Sequence, residues 1–294
     1  MKKDFSLIKS VLFLWFVFLM INLFFIPTNP VYAGESIKPT HVGAVNLELK
    51  GPRSIFVQGN YAYVASADGG GVEILNISNP ENPTRVGNIS DSQCDKVNRN
   101  KCELDGAYSI YVKGNYAYVA SRNDIGVEIL NVSNPASPTH TGSISNIACD
   151  AANNGKCELD GAVGIFVEGN YAYVASLDDD GVEILDISDP TNPTHAGAIT
   201  DSGSMELDGA YSIFVKGNYA YIASRYDNGV EILNISNPAN PTHVGSITDN
   251  STTELKGARS IFVKGDYAYV ASLDDDGVEI LNISNPANPT HVGS

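Results

Sequence analysis

The sequence predicts an all-β protein, a β-propeller built from four-stranded antiparallel blades. The first observation is a repeated signature, Gly-Asn/Asp-Tyr-Ala-Tyr-Val/Ile-Ala-Ser, which starts at Gly59, Gly114, Gly169, Gly217 and Gly265. The second is the spacing of these copies, 55, 55, 48 and 48 residues, which is typical of propellers and solenoids. The third is the pattern within each copy, where short apolar segments alternate with glycine and proline turns and show no helical period.

The third copy shows how one repeat predicts four strands. Residues 164–167 form the first strand, Gly169-Asn170 a two-residue hairpin turn, and residues 171–175 the second strand. An acidic loop then leads to a third strand over 182–187, and a double-proline turn leads to a fourth over 194–199. Because these strands are apolar on both faces, each blade must be covered by its neighbours. A β-solenoid is disfavoured, because its coils are usually much shorter and because the hairpin turns indicate antiparallel pairing.

The N-terminal segment differs from the repeats and predicts a secretory signal peptide over residues 1–33. Three lysines among the first nine residues are followed by an apolar run over 11–26, and Val31-Tyr32-Ala33 resembles a signal-peptidase site. The run is shorter than the roughly 20 residues that a membrane helix needs. An uncleaved anchor is the alternative. Either way the sequence predicts an exported protein, located in the periplasm, on the cell surface or outside the cell.

The propeller is predicted to occupy residues 34–294. Residues 39–45 match the fourth strand of a repeat, so the sequence contains one fourth strand more than it has repeats. Either five blades form the ring and one strand is redundant, or the blades belong to a larger ring of which this sequence is a part. We favour the second interpretation. The five repeats are expected at about 53–107, 108–162, 163–210, 211–258 and 259–294.

A resemblance to a known family rests on the second strand of the repeats, Tyr-Ala-Tyr-Val-Ala, and on the third strand. Every copy contains Gly-Val-Glu-Ile-Leu, and the third copy continues as Asp186-Ile187-Ser188-Asp189-Pro190. These motifs resemble the LVIVD-repeat family of bacterial and archaeal cell-surface propellers, although the other four copies carry Asn at the position of Asp186. The resemblance covers essentially the whole mature chain. It implies a propeller and an exported location, and it brings no defined catalytic residues.

The charge of the chain excludes some partners. The formal net charge is −16, and it becomes −18 without residues 1–33, which contain three Lys and one Asp. A protein this acidic repels nucleic acid and anionic lipid surfaces, and it attracts cations or basic partners. We therefore expect no nucleic-acid binding and no lipid binding beyond the signal segment.

The four cysteines predict two disulfide bonds. Cys94 and Cys102 are eight residues apart, as are Cys149 and Cys157, and each pair lies in an insertion that copies four and five lack. In an exported protein, paired cysteines that arrive with an insertion indicate a disulfide that fixes the loop. Zinc binding by all four cysteines is the disfavoured alternative, because their spacing does not fit a zinc knuckle.

Seven arginine and tyrosine residues vary between copies and are predicted to lie on the blade ends that carry the insertions. Both residue types are enriched at recognition surfaces, so we expect a face that binds an extracellular protein or glycan. The alternative is a solvated rim with no partner. The residues of this predicted face are Arg53, Tyr108, Arg122, Tyr211, Arg225, Tyr226 and Arg259.

Acidic residues recur at two positions of the repeat. The glutamate of the Glu-Leu-Asp/Lys-Gly motif is predicted to lie at the mouth of the central channel, where it either hydrogen-bonds a neighbouring blade or helps to hold a cation. The acidic loops between second and third strands offer oxygen ligands for a structural calcium ion, although solvated loops are favoured. No other cofactor is expected. The residues considered for calcium are Glu103, Glu158, Glu206, Asp178, Asp180, Asp274 and Asp276.

The histidines give no catalytic site. They occupy one repeated position, as in Pro193-Thr194-His195, and are therefore expected on separate blades. With no catalytic residues identified, the sequence predicts a monomeric, non-enzymatic binding module for an extracellular protein or glycan. Two alternatives stay open, a propeller enzyme of the lyase or hydrolase type with a site at the channel mouth, and a structural spacer of a larger surface protein. The sequence does not identify the ligand.

Overall fold

The computed structural model describes residues 40–45, 50–98 and 102–294. The chain divides into two compact units, residues 1–42 and residues 43–294, and the blades lie in the second unit. The predicted signal peptide, residues 1–33, lies outside the described residues. Within the described ranges, no helix combines the length and the apolar character needed to cross a membrane.

Five four-stranded antiparallel sheets form the five blades of a propeller, and in each sheet the strands are hydrogen-bonded in chain order. Blade 1 contains β1 (Pro52–Gln58), β2 (Tyr61–Ser66), β3 (Gly71–Asn76) and β4 (Thr84–Ser90). Blade 2 contains β5 (Ala107–Lys113), β6 (Tyr116–Ser121), β7 (Gly126–Asn131) and β8 (Thr139–Ser145). Blade 3 contains β9 (Ala162–Glu168), β10 (Tyr171–Ser176), β11 (Gly181–Asp186) and β12 (Thr194–Thr200). Blade 4 contains β13 (Ala210–Lys216), β14 (Tyr219–Ser224), β15 (Gly229–Asn234) and β16 (Thr242–Thr248). Blade 5 contains β17 (Ala258–Lys264), β18 (Tyr267–Ser272), β19 (Gly277–Asn282) and β20 (Thr290–Gly293).

The hairpin between the first two strands of each blade follows from its glycine. In blade 3, Gly169 has a φ of +57°, a value that favours glycine, and Asn170 after it does not have a positive φ. This matches the type II′ turn that the sequence predicts. The turn sets the register, in which Tyr171 pairs with Glu168 on one side and with Asp186 on the other.

The core lies between neighbouring blades. The first strands β1, β5, β9, β13 and β17 pack against one another in succession and are the innermost strands. Between blades 3 and 4, Tyr173 and Ile184 of the blade 3 sheet pack with Ile213 of β13 and with Leu207 in the segment that precedes it, and all four are buried. The two-sided apolar strands predicted from the sequence are thus explained, because an inner blade is covered on both faces.

Blades 1 and 5 each leave one apolar face exposed. Ile55 and Val57 on β1 are 63% and 54% exposed, whereas the equivalent Ile110 and Val112 on β5 are 3% and 2% exposed. On blade 5, Phe262 is 56% exposed. The five blades therefore form a series that is covered in the middle and open at both ends.

The two insertions contain short helices that the sequence analysis did not predict. Helix α1 spans Asp91–Asn98 and helix α2 spans Asn146–Asn153. Each helix has eight residues and buries one of them, Cys94 or Cys149. A helix of two turns with one buried residue has no repeating apolar face, so its period cannot be read from the sequence.

Residues 40–45 form no strand, so the predicted outer strand over 39–45 is wrong for the part that is described. A fourth strand needs the free edge of a third strand, and each third strand already pairs with the fourth strand of its own blade. Gly43 nevertheless lies against the carbonyl oxygen of Pro80. Gly197 in β12 meets Pro238 of the next blade in the same way, so residues 40–45 keep one contact of a fourth strand without its pairing.

Candidate functional site

A central cavity of about 290 Å³ lies where the innermost strands of all five blades meet. The antiparallel register places the start of each first strand beside the end of the second, as for Pro52 and Ser66. The cavity therefore opens on the blade edge that carries the acidic loops. Its polar lining residues are Arg53, Ser54, Tyr108, Ser109, Tyr211, Ser212, Arg259 and Ser260.

Serine side chains join neighbouring blades around the cavity. The hydroxyl oxygen of Ser54 accepts the backbone N–H of Ile110 in the next blade, at 3.4 Å. Ser109 accepts from Ile165 in the same way, also at 3.4 Å. Ser212 accepts from Ile261 at 3.3 Å, whereas blade 3 has Gly164 at this position. These serines therefore belong to the scaffold that positions the arginine and tyrosine residues.

Two arginines in the cavity each lie over the ring of a tyrosine from another blade. The Cζ atom of Arg53 is 5.2 Å from the ring centre of Tyr108, and that of Arg259 is 5.1 Å from the ring centre of Tyr211. The two tyrosine rings meet edge to face, with centroids 5.8 Å apart, and their hydroxyl groups are hydrogen-bonded. Cation–π attraction holds the guanidinium groups in place. We call Arg53, Tyr108, Tyr211 and Arg259 the Arg–Tyr row.

The Arg–Tyr row offers hydrogen-bond donors and positive charge. The Nε atom of Arg259 is buried and has no hydrogen-bond partner in the described part of the chain. Burial, together with the hydrogen bond to Tyr108, raises the pKa of Tyr211 to about 12. The Tyr211 hydroxyl therefore stays protonated at physiological pH. Chemically, the row suits an anionic group that accepts hydrogen bonds.

The structure brings together four of the seven residues of the predicted face and separates the other three. Arg122 forms an ion pair with Asp178 of the neighbouring blade, with 3.3 Å between Nη2 and Oδ1. Arg225 lies over the ring of Tyr226, with its Cζ atom 5.3 Å from the ring centre. These three residues lie in the loops between second and third strands, and they do not line the central cavity.

Among the described residues, the recurring glutamates of the Glu-Leu motif do not line the central cavity, contrary to the sequence prediction, and Glu48 lies outside the described residues. The backbone N–H of Glu103 donates to Oε2 of Glu128 at 3.1 Å, and that of Glu158 donates to Oε2 of Glu183 at 3.1 Å. These bonds hold the motif against the third strand, away from the innermost one. The side chains of Glu103 and Glu158 instead line clefts at the blade boundaries. Burial, and then the nearby carboxylates, raise the pKa of each to about 7.

The acidic loops hydrogen-bond the chain that enters their own blade. Oδ2 of Asp179 accepts the N–H of Asp160 at 2.7 Å, and Oδ2 of Asp227 accepts that of Asp208 at 2.7 Å. Across the described ranges, the residues considered for calcium do not come together as a group of three or more ligands. Consecutive carboxylates turn towards different partners, as Asp178 does towards Arg122, so they do not converge on one point.

The glutamates in mid-strand pair with the histidines of the outermost strand. Nδ1 of His195 is 2.7 Å from Oε1 of Glu183, and Nδ1 of His243 is 2.6 Å from Oε1 of Glu231. Both glutamates are completely buried. Burial outweighs the hydrogen bonds and raises the pKa of Glu183 to about 9 and that of Glu231 to about 7. These pairs were not predicted from the sequence. The glutamate and the histidine are always twelve residues apart, and this constant separation could have indicated that they face each other across neighbouring strands.

Both predicted cysteine pairs are disulfide-bonded in the structure. Cys94 is bonded to Cys102 and Cys149 to Cys157, with Cα separations of 5.9 and 5.8 Å. Each bond ties the insertion helix to the segment that enters the next blade. Each also lies beside a glutamate–histidine pair, so that sulfur, oxygen and nitrogen atoms lie within 4.8 Å of one another. This proximity is not visible in the sequence, because Cys157 and His195 are 38 residues apart and come together only through the packing of the blade.

Comparison with solved structures shows a fold shared with other propellers at low identity. A putative 6-phosphogluconolactonase from Bacteroides fragilis has a TM-score of 0.63 and 14% identity, and the match covers 86% of this chain and 70% of that one. A periplasmic gluconolactonase from Pseudomonas aeruginosa has a TM-score of 0.62 and 14% identity, over 83% of this chain and 71% of that one. A chain of a nidogen/laminin complex has a TM-score of 0.55 and 10% identity, over 84% and 81%.

The repeats themselves match a known family. No curated protein matches the chain. The LVIVD repeat matches five times, over residues 52–91, 106–146, 161–201, 209–249 and 257–294. These matches cover more than half of the chain, each contains one complete blade, and they confirm the resemblance seen in the strand motifs. The chain is a member of the LVIVD repeat family.

Proposed function

We propose that the protein is an exported binding module that takes an anionic group of an extracellular protein or glycan into its central cavity. The observation that carries the proposal is the Arg–Tyr row. Arg53 and Arg259 stand over Tyr108 and Tyr211 in a cavity of about 290 Å³ to which all five blades contribute.

The charge distribution supports an anionic group. The chain as a whole has a net charge of −16, yet the charged side chains in the lining of the cavity are arginines. A guanidinium group binds a carboxylate through two parallel hydrogen bonds, and it does so best where water is partly excluded. The buried Nε of Arg259 has a donor to spare, and a ligand oxygen would satisfy it.

Export is part of the proposal. Its supports are the signal-like segment over residues 1–33 and the two disulfide bonds, since disulfides persist mainly in oxidising compartments. The structural neighbour from Pseudomonas aeruginosa is named as a periplasmic gluconolactonase.

Hydrolysis of a sugar lactone is the second candidate function. Two structural neighbours are named as lactonases, and a cavity that suits an anionic group also suits a sugar acid. General acid–base hydrolysis usually relies on a carboxylate or a histidine. The described lining of the cavity consists of arginine, tyrosine, serine and small or apolar residues, so we favour binding over turnover.

One set of variants distinguishes a binding function from a hydrolytic one. Titration calorimetry with an oligomer of galacturonic acid, a neutral oligosaccharide of equal length and a glutamate-rich peptide identifies the partner class. Arg53→Ala with Arg259→Ala should weaken binding of the acidic probe by about tenfold or more, because charge-assisted hydrogen bonds are lost. Arg122→Ala is the matched control, since Arg122 lies outside the cavity.

Each result has a distinct meaning. Loss of binding in the double arginine variant, with unchanged thermal stability, supports the proposal. The probe that the native protein binds more tightly decides between a glycan and a protein partner. Turnover of gluconolactone that the same double variant abolishes supports the second candidate. Neither binding nor turnover contradicts both and favours a structural spacer.

A further inference from the structure

Each disulfide bond lies within a group of four potential metal ligands. One group lies at the boundary of blades 1 and 2, and the other at the boundary of blades 2 and 3. The first group is Cys94, Cys102, Glu128 and His140, and the second is Cys149, Cys157, Glu183 and His195. In both groups the sulfur, carboxylate oxygen and imidazole nitrogen atoms all lie within 4.8 Å of one another. The two groups arise from different repeats, so the arrangement is formed twice.

The ligand atoms are shielded from solvent. In the second group Cys149 is 2% exposed, Cys157 is 5% exposed and Glu183 is completely buried. The side chain of His195 is 16% exposed. Two sulfurs, one imidazole nitrogen and one carboxylate oxygen are the donor types that Zn²⁺ binds, and zinc takes four of them in a tetrahedral site.

Neighbouring groups hold these ligands in place in both clusters. Nδ2 of Asn153 lies 3.8 Å from Sγ of Cys149 and 3.6 Å from Sγ of Cys157. Asn98 holds the same position in the first cluster, at 3.5 and 3.6 Å from its two sulfurs. An amide that donates to sulfur stabilises a thiolate, and outer partners of this kind orient metal ligands.

Blades 4 and 5 provide an internal comparison. Glu231 and His243 form the same pair in blade 4, but there is no insertion and there are no cysteines beside them. The side chain of His243 is 34% exposed, against 15% for His140 in blade 2. The insertions of the first two repeats thus add two sulfurs and also cover the histidine.

We propose that each cluster binds one Zn²⁺ ion when its disulfide bond is reduced, through two thiolates, the histidine and the glutamate. A dithiol reductant supplies two electrons and two protons, the S–S bond breaks, two cysteine thiols form and the dithiol becomes a disulfide. Zn²⁺ then displaces one proton from each thiol, since the thiolate is the ligand. In the reverse direction a disulfide oxidant accepts two electrons from the two thiolates and becomes a dithiol, the S–S bond of the protein forms again, and the ion, having lost both sulfur ligands, is released.

A cleft gives access to the clusters. A cavity of about 540 Å³ at the boundary of blades 2 and 3 is lined by Cys149 and His195 of the second cluster and by His140 of the first. The cleft therefore reaches one cysteine and the histidine of the second cluster, and the histidine of the first.

Cobalt substitution tests the proposal, because Co²⁺ occupies zinc sites and tetrahedral thiolate ligation gives it strong visible absorption. The purified protein is reduced with a phosphine under anaerobic conditions and titrated with Co²⁺, followed by displacement with Zn²⁺. We expect two ions per reduced chain, one for each cluster, and none per oxidised chain. Circular dichroism of the reduced, metal-free protein records whether the blades stay folded.

Single variants test the individual ligands. His195→Ala should weaken the binding of one of the two ions by at least about tenfold and leave the binding of the other unchanged. Cys157→Ser removes one of the two sulfur ligands of that same site and should clearly weaken its sulfur-to-cobalt absorption. His243→Ala, in a blade without cysteines, is the control and should leave two ions bound. The proposal is overturned if the reduced protein binds no metal, folded or not, or if the oxidised protein binds equally well. It is also overturned if His195→Ala and His243→Ala have the same effect.

Discussion

The hydroxyl groups of Tyr108 and Tyr211 are hydrogen-bonded to each other across the central cavity, although the residues are 103 positions apart and belong to blades 2 and 4. This bond links two blades that are not neighbours. It also joins the two arginine–tyrosine contacts into one row, so that Arg53 and Arg259 lie at opposite ends of a single arrangement.

Replacement of Tyr108 by phenylalanine should lower the pKa of Tyr211 from about 12, because the hydrogen bond to Tyr108 contributes to that value. Burial remains, so the pKa should stay above the ordinary value of 10.0. A pH titration of ¹³Cζ-labelled tyrosine by NMR measures it, and Tyr211→Phe assigns the signal. Tyr226→Phe is the control, since Tyr226 is 52% exposed. An unchanged pKa in Tyr108→Phe would show that the hydroxyl groups do not interact.

Folding stability should depend on pH through Glu231. Burial raises its folded-state pKa from 4.5 to about 7, so between these values the folded protein holds the proton more firmly than the unfolded chain does. The stabilisation of the folded state by this group is therefore fully present below about pH 4.5 and is lost as the pH rises through 7. Glu231→Gln mimics the protonated form and should raise Tm by a few degrees relative to the native protein at pH 8, on the order expected for 1–2 kcal/mol.

At pH 5 the same substitution should change Tm little, because the native carboxyl group is then largely protonated. Thermal unfolding of both proteins from pH 5 to pH 8 gives the difference. Glu168→Gln, at an exposed position, should show no such trend. A Tm difference for Glu231→Gln that does not grow with pH would contradict the assignment.

A glycine in the fourth strand should tolerate alanine only where an added Cβ atom meets no other group. A Cβ atom at Gly197 would collide with the carbonyl oxygen of Pro238 in the next blade. Gly197→Ala should therefore cost about 1–3 kcal/mol, as expected for overpacking. Gly293 occupies the same repeat position in blade 5 and has nothing within 4 Å of an added Cβ atom, so Gly293→Ala should be close to neutral. Equal effects in urea unfolding would refute the contact.

Loss of one disulfide bond should lower the free energy of unfolding of the oxidised protein by about 2–3 kcal/mol, given the short loop that it closes. Cys149→Ser with Cys157→Ser and Cys94→Ser with Cys102→Ser should have similar effects, since both bonds have a sequence separation of 8. Guanidinium unfolding measures the change. A much larger loss in one pair would mean that the disulfide also holds the blade interface together.

Much of the fold could be predicted because its information is local. The Gly169-Asn170 turn, the flanking strands and the proline turn after β11 follow from residue types at fixed offsets, and they repeat five times. Helix α1 could not be predicted, because its one buried residue, Cys94, packs against the following blade and not along the helix. Residues 40–45 were misjudged because a matching sequence does not supply a free strand edge.

The site was harder to predict because its contacts join different blades. Residue types placed Arg53 and Tyr211 on one end of the propeller, but nothing local separated them from Arg225, which faces a loop tyrosine. The predicted position of Glu103 at the channel mouth was wrong. Its backbone N–H is hydrogen-bonded to Glu128, and its side chain lines a cleft at the blade boundary. The approach of Cys157 to Glu183 and His195 depends on the packing of an insertion onto the next blade, which repeat spacing does not reveal.

The exposed faces of blades 1 and 5 give the molecule a gradient of local stability. Each blade is held by the faces that it shares with its neighbours, so a terminal blade has about half the support of a central one. Opening fluctuations should therefore begin at both ends, and amide hydrogen exchange should be faster in β1 than in the corresponding β9 of blade 3, and faster in β19 than in the corresponding β11. Strands with nearly the same sequence would then differ in lifetime by their place in the series alone.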